Sequence, residues 1–372
     1  MNFGPCIIDS RSRMPELPRL RLGVSACLLG QPVRYDGGHK RDGFVADLLA
    51  AHFDLLPLCP EVAIGLGVPR RPIRLVQTAA GLRVRGVHNP ALDVTDALDG
   101  EAARVSRDLP YLCGYVLKKN SPSCGMERVK TYTEAGVPTG RASGAYAAGL
   151  MARQPLLPVE EEDRLGDPAL RENFIERVFA YARWQAFTAS EVTGAALVDF
   201  HSRHKYQLLA HNQAAYRRLG PLVARAGRRP APQLLHEYGR EFMAALARPA
   251  SVGNHVNVLQ HLAGYLKDAL DPGDKTELLA AIDAYQAHRA PLLVPVTLLR
   301  HHLRRHPQPF AARQTYLDVD PREQVLLEHA WQIAGQWRLH MPFHDPQTPL
   351  AAPHVASQPP AASNASTDKY EP

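Results

Sequence analysis

Three cysteines stand where apolar stretches of the chain end, and their thiols are the first candidates for chemistry. Cys27 lies in VSACLLG, Cys59 in LLPLCPE and Cys124 in KKNSPSCG. Three thiolates can hold an iron–sulfur cluster or a metal ion and leave one coordination position free for a substrate. Their spacing matches no compact zinc or ferredoxin pattern, and by spacing alone it favours ordinary buried thiols over ligands. The glycine and proline around them indicate shaped loops and reverse that judgement.

The other two cysteines lack this setting. Cys113, in YLCGYVL, is expected to be a core thiol inside a strand, and Cys6 belongs to an N-terminal arm over residues 1–19. Because five cysteines is an odd number and the first twenty residues do not read as an export signal, we expect reduced thiols and a cytoplasmic protein. No run of eighteen uncharged apolar residues occurs, which predicts that the chain does not span a membrane.

The elements that must position these thiols are short strands alternating with helices over residues 20–155. Five apolar runs predict strands: LRLGVSA, FDLLPLC, GLRVRG, YLCGYVL and VKTYT. VADLLAAH and VTDALDGEAARVSRDL predict helices. This alternation predicts an α/β domain, a mostly parallel sheet with helices on both faces. The carboxyl ends of parallel strands share one rim, where ligands bind, so the three cysteines are expected to meet there.

The remainder of the chain has a different composition. Residues 156–169 are rich in proline and acidic residues and are expected to be a linker. Helical periodicity with short connections then predicts an all-α domain over residues 170–325. Residues 344–372, rich in Pro, Ala and Ser, are expected to form a disordered tail.

Positive charge is concentrated in the helical half. The chain carries a formal net charge of +6, and residues 200–230 alone contain seven basic and no acidic residues. Such a run suits a polyanion such as nucleic acid, although a solvated basic face is an equally good interpretation. Within this run we select four candidate RNA contacts: Arg203, Lys205, Arg217 and Arg218.

Three segments, in order along residues 20–155, resemble the motif set of the TudS-type thiouracil desulfidase family: VSACLLGQPVRYDGGHK, LLPLCPEVAIGLGVPRRPIRL and KKNSPSCG. The resemblance implies that Cys27, Cys59 and Cys124 bind a [4Fe–4S] cluster whose fourth iron has no protein ligand. Such an iron is a Lewis acid for soft sulfur, so a thiocarbonyl sulfur is expected to bind it while water attacks the ring carbon. The expected reaction is hydrolytic C–S cleavage without net redox change, with sulfur leaving as sulfide or passing to an acceptor.

The same resemblance points to a glutamate and a serine at the site, which we assign to Glu61 and Ser121. Glu61 is two residues from a ligand and is expected to move protons, unless it only caps a loop amide. Glycines and basic residues in GGHK and GVPRRP suit a phosphate or a uracil edge, and aromatic rings suit stacking on a pyrimidine. The candidate substrate contacts are Tyr35, His39, Lys40 and Arg70.

The helical half resembles the YbgA-type domain across roughly residues 170–320, through RENFIERVFAYARW, LVDFHSRHKYQLLAHNQ and PASVGNHVNVLQHLAGYLK. Domains of this type occur fused to TudS-type domains, which implies a two-domain enzyme that converts 4-thiouridine in tRNA to uridine. The basic helical half would then bind the tRNA. Two alternatives stay open: a desulfidase of free thiouracil or thionucleotides with a dimerising helical half, and a non-catalytic RNA-binding protein with structural zinc.

Overall fold

The computed structural model of the protein describes residues 19–329, so the expectations for Cys6 and for the tail at 344–372 lie outside the described residues. The described strands are β1 (Arg21–Ser25), β2 (Asp54–Leu58), β3 (Ile73–Thr78), β4 (Gly81–Gly86), β5 (Leu112–Leu117), β6 (Val129–Tyr132), β7 (Pro138–Ala142) and β8 (Val159–Glu161). They form two sheets, sheet A with the order β2-β1-β5-β8 and sheet B with the order β4-β3-β6-β7.

Sheet A is parallel throughout, as the alternation of strands and helices predicts. All six residues of β5 are buried, which is the pattern of a central strand covered on both faces. The chain runs from β1 to β2 on one side of the sheet and from β5 to β8 on the other, so a crevice opens between the carboxyl ends of β1 and β5. This crevice is the place where the sequence predicts the thiols to meet.

Sheet B is mixed. Strands β3 and β6 pair in parallel, and each also forms an antiparallel pair with the strand that follows it. The sequence predicts β4 and β6 as strands but not β3, whose IRLVQT run directly follows the GVPRRP turn. The fold class is therefore confirmed, with a second sheet that the sequence reading did not separate from the first.

Helices cover sheet A on both faces. The first helices are α1 (Ala50–His52), which continues a π-helical segment Phe44–Leu49, α2 (Pro60–Ala63), α3 (Thr95–Asp108) and α4 (Ala145–Arg153). Helices α3 and α4 share a core with sheet B and with Tyr115 and Leu117 of β5. On the opposite face, Val45 and Leu49 pack with Leu22 and Val24 of β1.

The long helix α5 (Pro168–Thr188) connects the two halves of the protein. Asp167 caps its first turn by accepting hydrogen bonds from the amides of Ala169 and Leu170. Its residues Phe174 and Val178 lie in the sheet A core, whereas Trp184 lies in the core of the helical half. The expected linker at 156–169 contains β8, which pairs with β5, so this segment is part of sheet A.

The second half is helical, as predicted, with two apolar cores of its own. None of the described helices is long and apolar enough to cross a membrane. The remaining helices are α6 (Gly194–Arg203), α7 (Lys205–His211), α8 (Gln213–Ala224), α9 (Pro232–Leu246), α10 (Val252–Gly264), α11 (Pro272–Gln286), α12 (Leu293–Arg305) and α13 (Pro309–Ala312).

Candidate active site

The three thiols line one cavity of about 440 Å³ at the carboxyl end of sheet A. Cys27 follows β1 and Cys59 follows β2, while Cys124 lies in the loop after β5. The convergence expected from parallel strand ends is therefore present, across nearly a hundred residues of sequence. Cys113 lies away from this cavity in the apolar core, with its thiol 3.4 Å from Oε1 of Gln185.

Backbone geometry fixes the loops that carry the thiols. Cys27 lies in a 3-10 turn that ends at Gly30, whose φ of 87° favours glycine. The loop of Cys124 is closed by Ser121, whose Oγ accepts hydrogen bonds from the amides of Ser123 (3.2 Å) and Cys124 (3.1 Å). Gly144 packs against this loop so closely that a Cβ there would lie 2.6 Å from the carbonyl of Ser123.

Burial and mutual proximity govern the charge state of the thiols. Burial raises the pKa of the Cys27 thiol to about 11, although Lys118 opposes the shift. Burial also raises the pKa of Cys59 and, to a greater extent, that of Cys124, with Glu61 and the other two thiols adding to the latter shift. Three thiols whose ionised forms would repel one another around one cavity are a donor set that is best stabilised by a cationic group between them.

Glu61 is the carboxylate of this cavity, and both of its oxygens are held. Its Oε2 accepts a hydrogen bond of 2.7 Å from Nε of Arg70, and its Oε1 accepts one of 2.9 Å from Oγ of Ser123. The side chains of Glu61 and Arg70 are only 12% and 6% exposed, so this ion pair is nearly dry. The arrangement leaves Glu61 fixed beside the thiols, with α2 presenting it from its first turn.

The structure brings together most of the residues selected from the sequence. Tyr35, Lys40, Arg70 and Ser121 line the thiol cavity along with Glu61. His39 does not line it: its ring accepts a hydrogen bond from the amide of Arg41 and is exposed to solvent. Arg70 donates hydrogen bonds to Glu61 and to the carbonyls of Val33 and Gly67. Its guanidinium therefore stabilises the cavity wall and is not a free donor for a substrate.

Two residues of the site were missed by the sequence analysis. Ser123 is fully buried and binds Glu61, and Lys118 lines the cavity and pairs with Glu162. Both lie in the KKNSPSCG segment that carries Cys124, so proximity to a candidate ligand was the signal available. Their partners are more than forty residues away, which no local pattern reveals.

No group of three or more His, Cys, Asp or Glu side chains within residues 19–329 is arranged to hold a single metal ion. Ligands of a cluster lie further apart than ligands of one ion, because each thiolate binds a different iron. The donor set is also all sulfur, with the nearby carboxylate already bound by Arg70 and Ser123. These residues therefore fit a cluster better than they fit the single structural zinc of the alternative hypothesis.

The four candidate RNA contacts have different surroundings. Arg203 pairs with Asp199 at 2.8 Å, and Arg218 pairs with Glu241 at 3.0 Å. The ammonium of Lys205 lies 5.1 Å from the ring centroid of Tyr206. Arg217 is exposed, and the described part of the chain offers it no ion pair.

Comparison with known proteins finds two families along the chain. The 2-thiouracil desulfurase family matches residues 22–162, and DUF1722, a family of unknown function, matches residues 205–321. The uncharacterized protein YbgA of Escherichia coli (strain K12) is 33% identical over 147 residues, which are 39% of this chain and 87% of YbgA. The uncharacterized protein YbbK of Bacillus subtilis (strain 168) is 27% identical over 150 residues, which are 39% of this chain and 97% of YbbK.

One solved structure is also similar, that of the [4Fe-4S]-dependent thiouracil desulfidase TudS. It is 35% identical and covers 41% of this chain and 97% of its own, with a TM-score of 0.33.

Proposed function

The chain belongs to the family of YbgA, with a 2-thiouracil desulfurase domain ahead of its DUF1722 domain, and we propose that it removes sulfur from 4-thiouridine in tRNA to give uridine. The observation that carries the proposal is the cavity at the end of sheet A, where three thiols and one buried carboxylate meet. A thiocarbonyl base needs a soft acceptor for sulfur and a group that moves protons, and this cavity offers ligands for the first and Glu61 for the second.

The Sγ atoms of Cys27, Cys59 and Cys124 would hold a [4Fe–4S] cluster. When bound, the cluster supplies a Lewis-acidic iron with affinity for the sulfur of a thiocarbonyl group. The overall reaction replaces that sulfur with the oxygen of water: a C–O bond forms, the C–S bond breaks, and sulfur leaves as hydrogen sulfide with both water protons. No electrons are gained or lost in this exchange.

Glu61 is the group that takes a proton from the attacking water. Its Oε2 accepts a hydrogen bond from Arg70, so the proton is expected to bind to Oε1. Oε1 is the oxygen that accepts a hydrogen bond from the hydroxyl of Ser123. Ser121 has a different role. Because its Oγ accepts hydrogen bonds from two backbone amides, its hydroxyl group can still donate a hydrogen bond to a substrate oxygen or nitrogen in the cavity.

The substrate would be held at the mouth of the cavity by Tyr35 and Lys40, both of which line it. The ring of Tyr35 is 44% exposed and is free to stack on a pyrimidine, with Arg34 on its other flank at 5.5 Å. The tRNA body would contact the helical half through Arg203, Lys205, Arg217 and Arg218. The ion pairs of Arg203 and Arg218 favour the second candidate, a free thiouracil or thionucleotide substrate.

The first experiment incubates anaerobically purified, cluster-loaded protein with tRNA that contains 4-thiouridine, then digests the RNA and quantifies both nucleosides. We expect loss of 4-thiouridine matched by gain of uridine. Consumption of free thiouracil with the tRNA untouched would select the second candidate, and no change in either substrate would refute desulfidation.

The second experiment measures iron and acid-labile sulfide in single Cys→Ser variants of the three cavity thiols. Each substitution is expected to remove most of the cluster. Cys113→Ser is the matched control, because that thiol is as buried as those of Cys27 and Cys124 but does not line the cavity. Equal iron loss in the control, or one zinc and no sulfide in the unmodified protein, would contradict the ligand assignment.

A further inference from the structure

A second cleft, of about 390 Å³, opens beside the thiol cavity and shares Ile73, Asn120 and Pro122 with it. It lies along sheet B and is lined by four cationic side chains, Arg74, Arg128, Lys130 and Arg141. Asn120, with a left-handed φ of 58°, stands where the two openings join. A ligand whose reactive base enters the thiol cavity therefore has a direct path for its remaining atoms into this cleft.

The strand register places these cations in one row across the sheet. Lys130 of β6 lies directly opposite Arg141 of β7. The parallel pairing of Leu75 with Thr131 sets Arg74 beside Lys130, one residue earlier on each strand. Neighbouring strands are about 4.8 Å apart, and residues in register share a face, so the three side chains stand close together on the same side of the sheet.

The three cations have no carboxylate to neutralise them within residues 19–329. Arg128, which also lines the cleft, is bound by Glu161 and Asp163, and Arg85 in the next strand is bound by Asp93 and Glu134. Like charges directly opposite each other destabilise a sheet. The Nε of Arg74 is, in addition, buried without a hydrogen-bond partner. A bound anion would offset the repulsion between these like charges and could accept a hydrogen bond from the buried Nε of Arg74.

We propose that the row formed by Arg74, Lys130 and Arg141 binds the phosphates that flank the thiolated nucleotide. This proposal rests on the proposed desulfidase function, because it takes the thiol cavity as the place where the base is bound. The shared chemistry is a phosphate attached to the nucleoside, either the single phosphate of a nucleotide or the phosphodiester chain of RNA. Three cations in a row favour more than one phosphate, and therefore the RNA strand.

The contrast with the helical half supports this location. Four of the seven basic residues between 200 and 230 have a carboxylate within 2.8–3.9 Å: Arg203, Arg218, Arg225 and Arg229. A phosphate that binds at any of these four must compete with a carboxylate, whereas a phosphate in the sheet B cleft meets three in-register cations without an ion pair described in residues 19–329. The cleft also adjoins the thiol cavity.

The test measures binding of the full-length protein to uridine, uridine 5′-monophosphate and a short oligouridylate, none of which carries sulfur. The wild type is expected to bind the monophosphate about tenfold more tightly than uridine, from one charge-assisted contact. Oligouridylate is expected to bind more tightly still. The variant Arg74→Gln/Arg141→Gln should lose both the preference for the monophosphate over uridine and the preference for the oligomer. For oligouridylate, the slope of the logarithm of the binding constant against the logarithm of the salt concentration should be smaller by about 1.4, because two cations are lost.

Arg107→Gln is the control, because it removes one positive charge from the exposed end of α3, away from the cleft, and is expected to leave all affinities unchanged. Both variants are checked for an unaltered circular dichroism spectrum. If the wild type prefers the monophosphate but gains nothing from the oligomer, the row binds a mononucleotide phosphate. Equal affinity of the wild type for uridine and its phosphates would overturn the proposal, as would a double variant that keeps the preference. Because no ligand is thiolated, these outcomes are independent of whether desulfidation occurs.

Discussion

The buried ion pair between Glu61 and Arg70 gives the sharpest test of how the cavity wall is held. Arg70 donates to Oε2 of Glu61 at 2.7 Å and to the carbonyls of Val33 and Gly67, both at 2.9 Å. Replacing it in Arg70→Gln leaves a carboxylate that is only 12% exposed without its counter-charge. Gly67 is exposed and its carbonyl regains water, so the cost arises mainly at Glu61 and Val33.

The expected loss is about 3 kcal/mol, at the lower end of the cost of breaking a buried pair because Glu61 keeps some contact with water. For a cooperative unit of the size of the sheet-containing half, this corresponds to a fall in melting temperature of about 10 °C, which differential scanning calorimetry resolves. Arg71→Gln is the control on the neighbouring residue. Arg71 is exposed, and no ion pair is described for it within residues 19–329, so we expect a shift below about 2 °C.

A double variant separates the ion pair from other effects of the substitution. Glu61→Gln/Arg70→Gln removes both charges, so it should recover roughly 2 kcal/mol relative to the single Arg70→Gln variant. If Arg70→Gln and Arg71→Gln melt at the same temperature, or if the double variant is no more stable than the single one, the pair does not hold the wall and the reasoning fails.

Two further predictions concern packing and pH. Gly144→Ala should push the Ser123 carbonyl away, destabilise the protein by about 2 kcal/mol in urea denaturation and lower its iron content. Gly166→Ala is the control: a Cβ there meets open space, so it should change the free energy of unfolding by less than about 0.5 kcal/mol. Burial lowers the pKa of His255 to about 4 despite the opposing charge of Glu176, so below pH 6.5 the unfolded chain binds a proton that the folded chain excludes. Stability should therefore fall by up to about 3 kcal/mol between pH 6.5 and 4, and a His255→Gln variant that keeps the same pH dependence in urea titrations would contradict this.

The convergence of the thiols was predictable from the sequence because it depends on topology alone. Apolar runs that end in turns predict parallel strands, and parallel strands share one rim, so Cys27, Cys59 and Cys124 had to approach each other if the fold class was right. The same reasoning separated Cys113, which lies within its strand and packs in the apolar core.

The partners of the cavity residues were not predictable, because they depend on how loops from distant segments pack. Ser123 and Glu61 are 62 residues apart, and Arg70 reaches the carbonyl of Val33 across 37 residues. No periodicity or composition encodes such contacts. The ion pairs of the helical half were not predictable for the same reason: carboxylates from outside the basic run between 200 and 230, such as Glu191 and Glu241, pair with its arginines.

A cation that already holds a carboxylate contributes little to the capture of a phosphate, since the incoming anion gains only the difference between two similar interactions. Counting basic residues along the chain therefore points to the helical half, whereas strand register and the absence of an ion pair within residues 19–329 point to Arg74, Lys130 and Arg141 beside the thiol cavity. The two measures disagree because carboxylates pair with four of the seven basic residues between 200 and 230, whereas within residues 19–329 no ion pair is described for these three cations. The affinity for phosphates near the reacting base should therefore depend mainly on the cations of the sheet B cleft. The basic run between 200 and 230 would contribute mainly through Lys205, Arg217 and Arg228, for which no ion pair is described within residues 19–329.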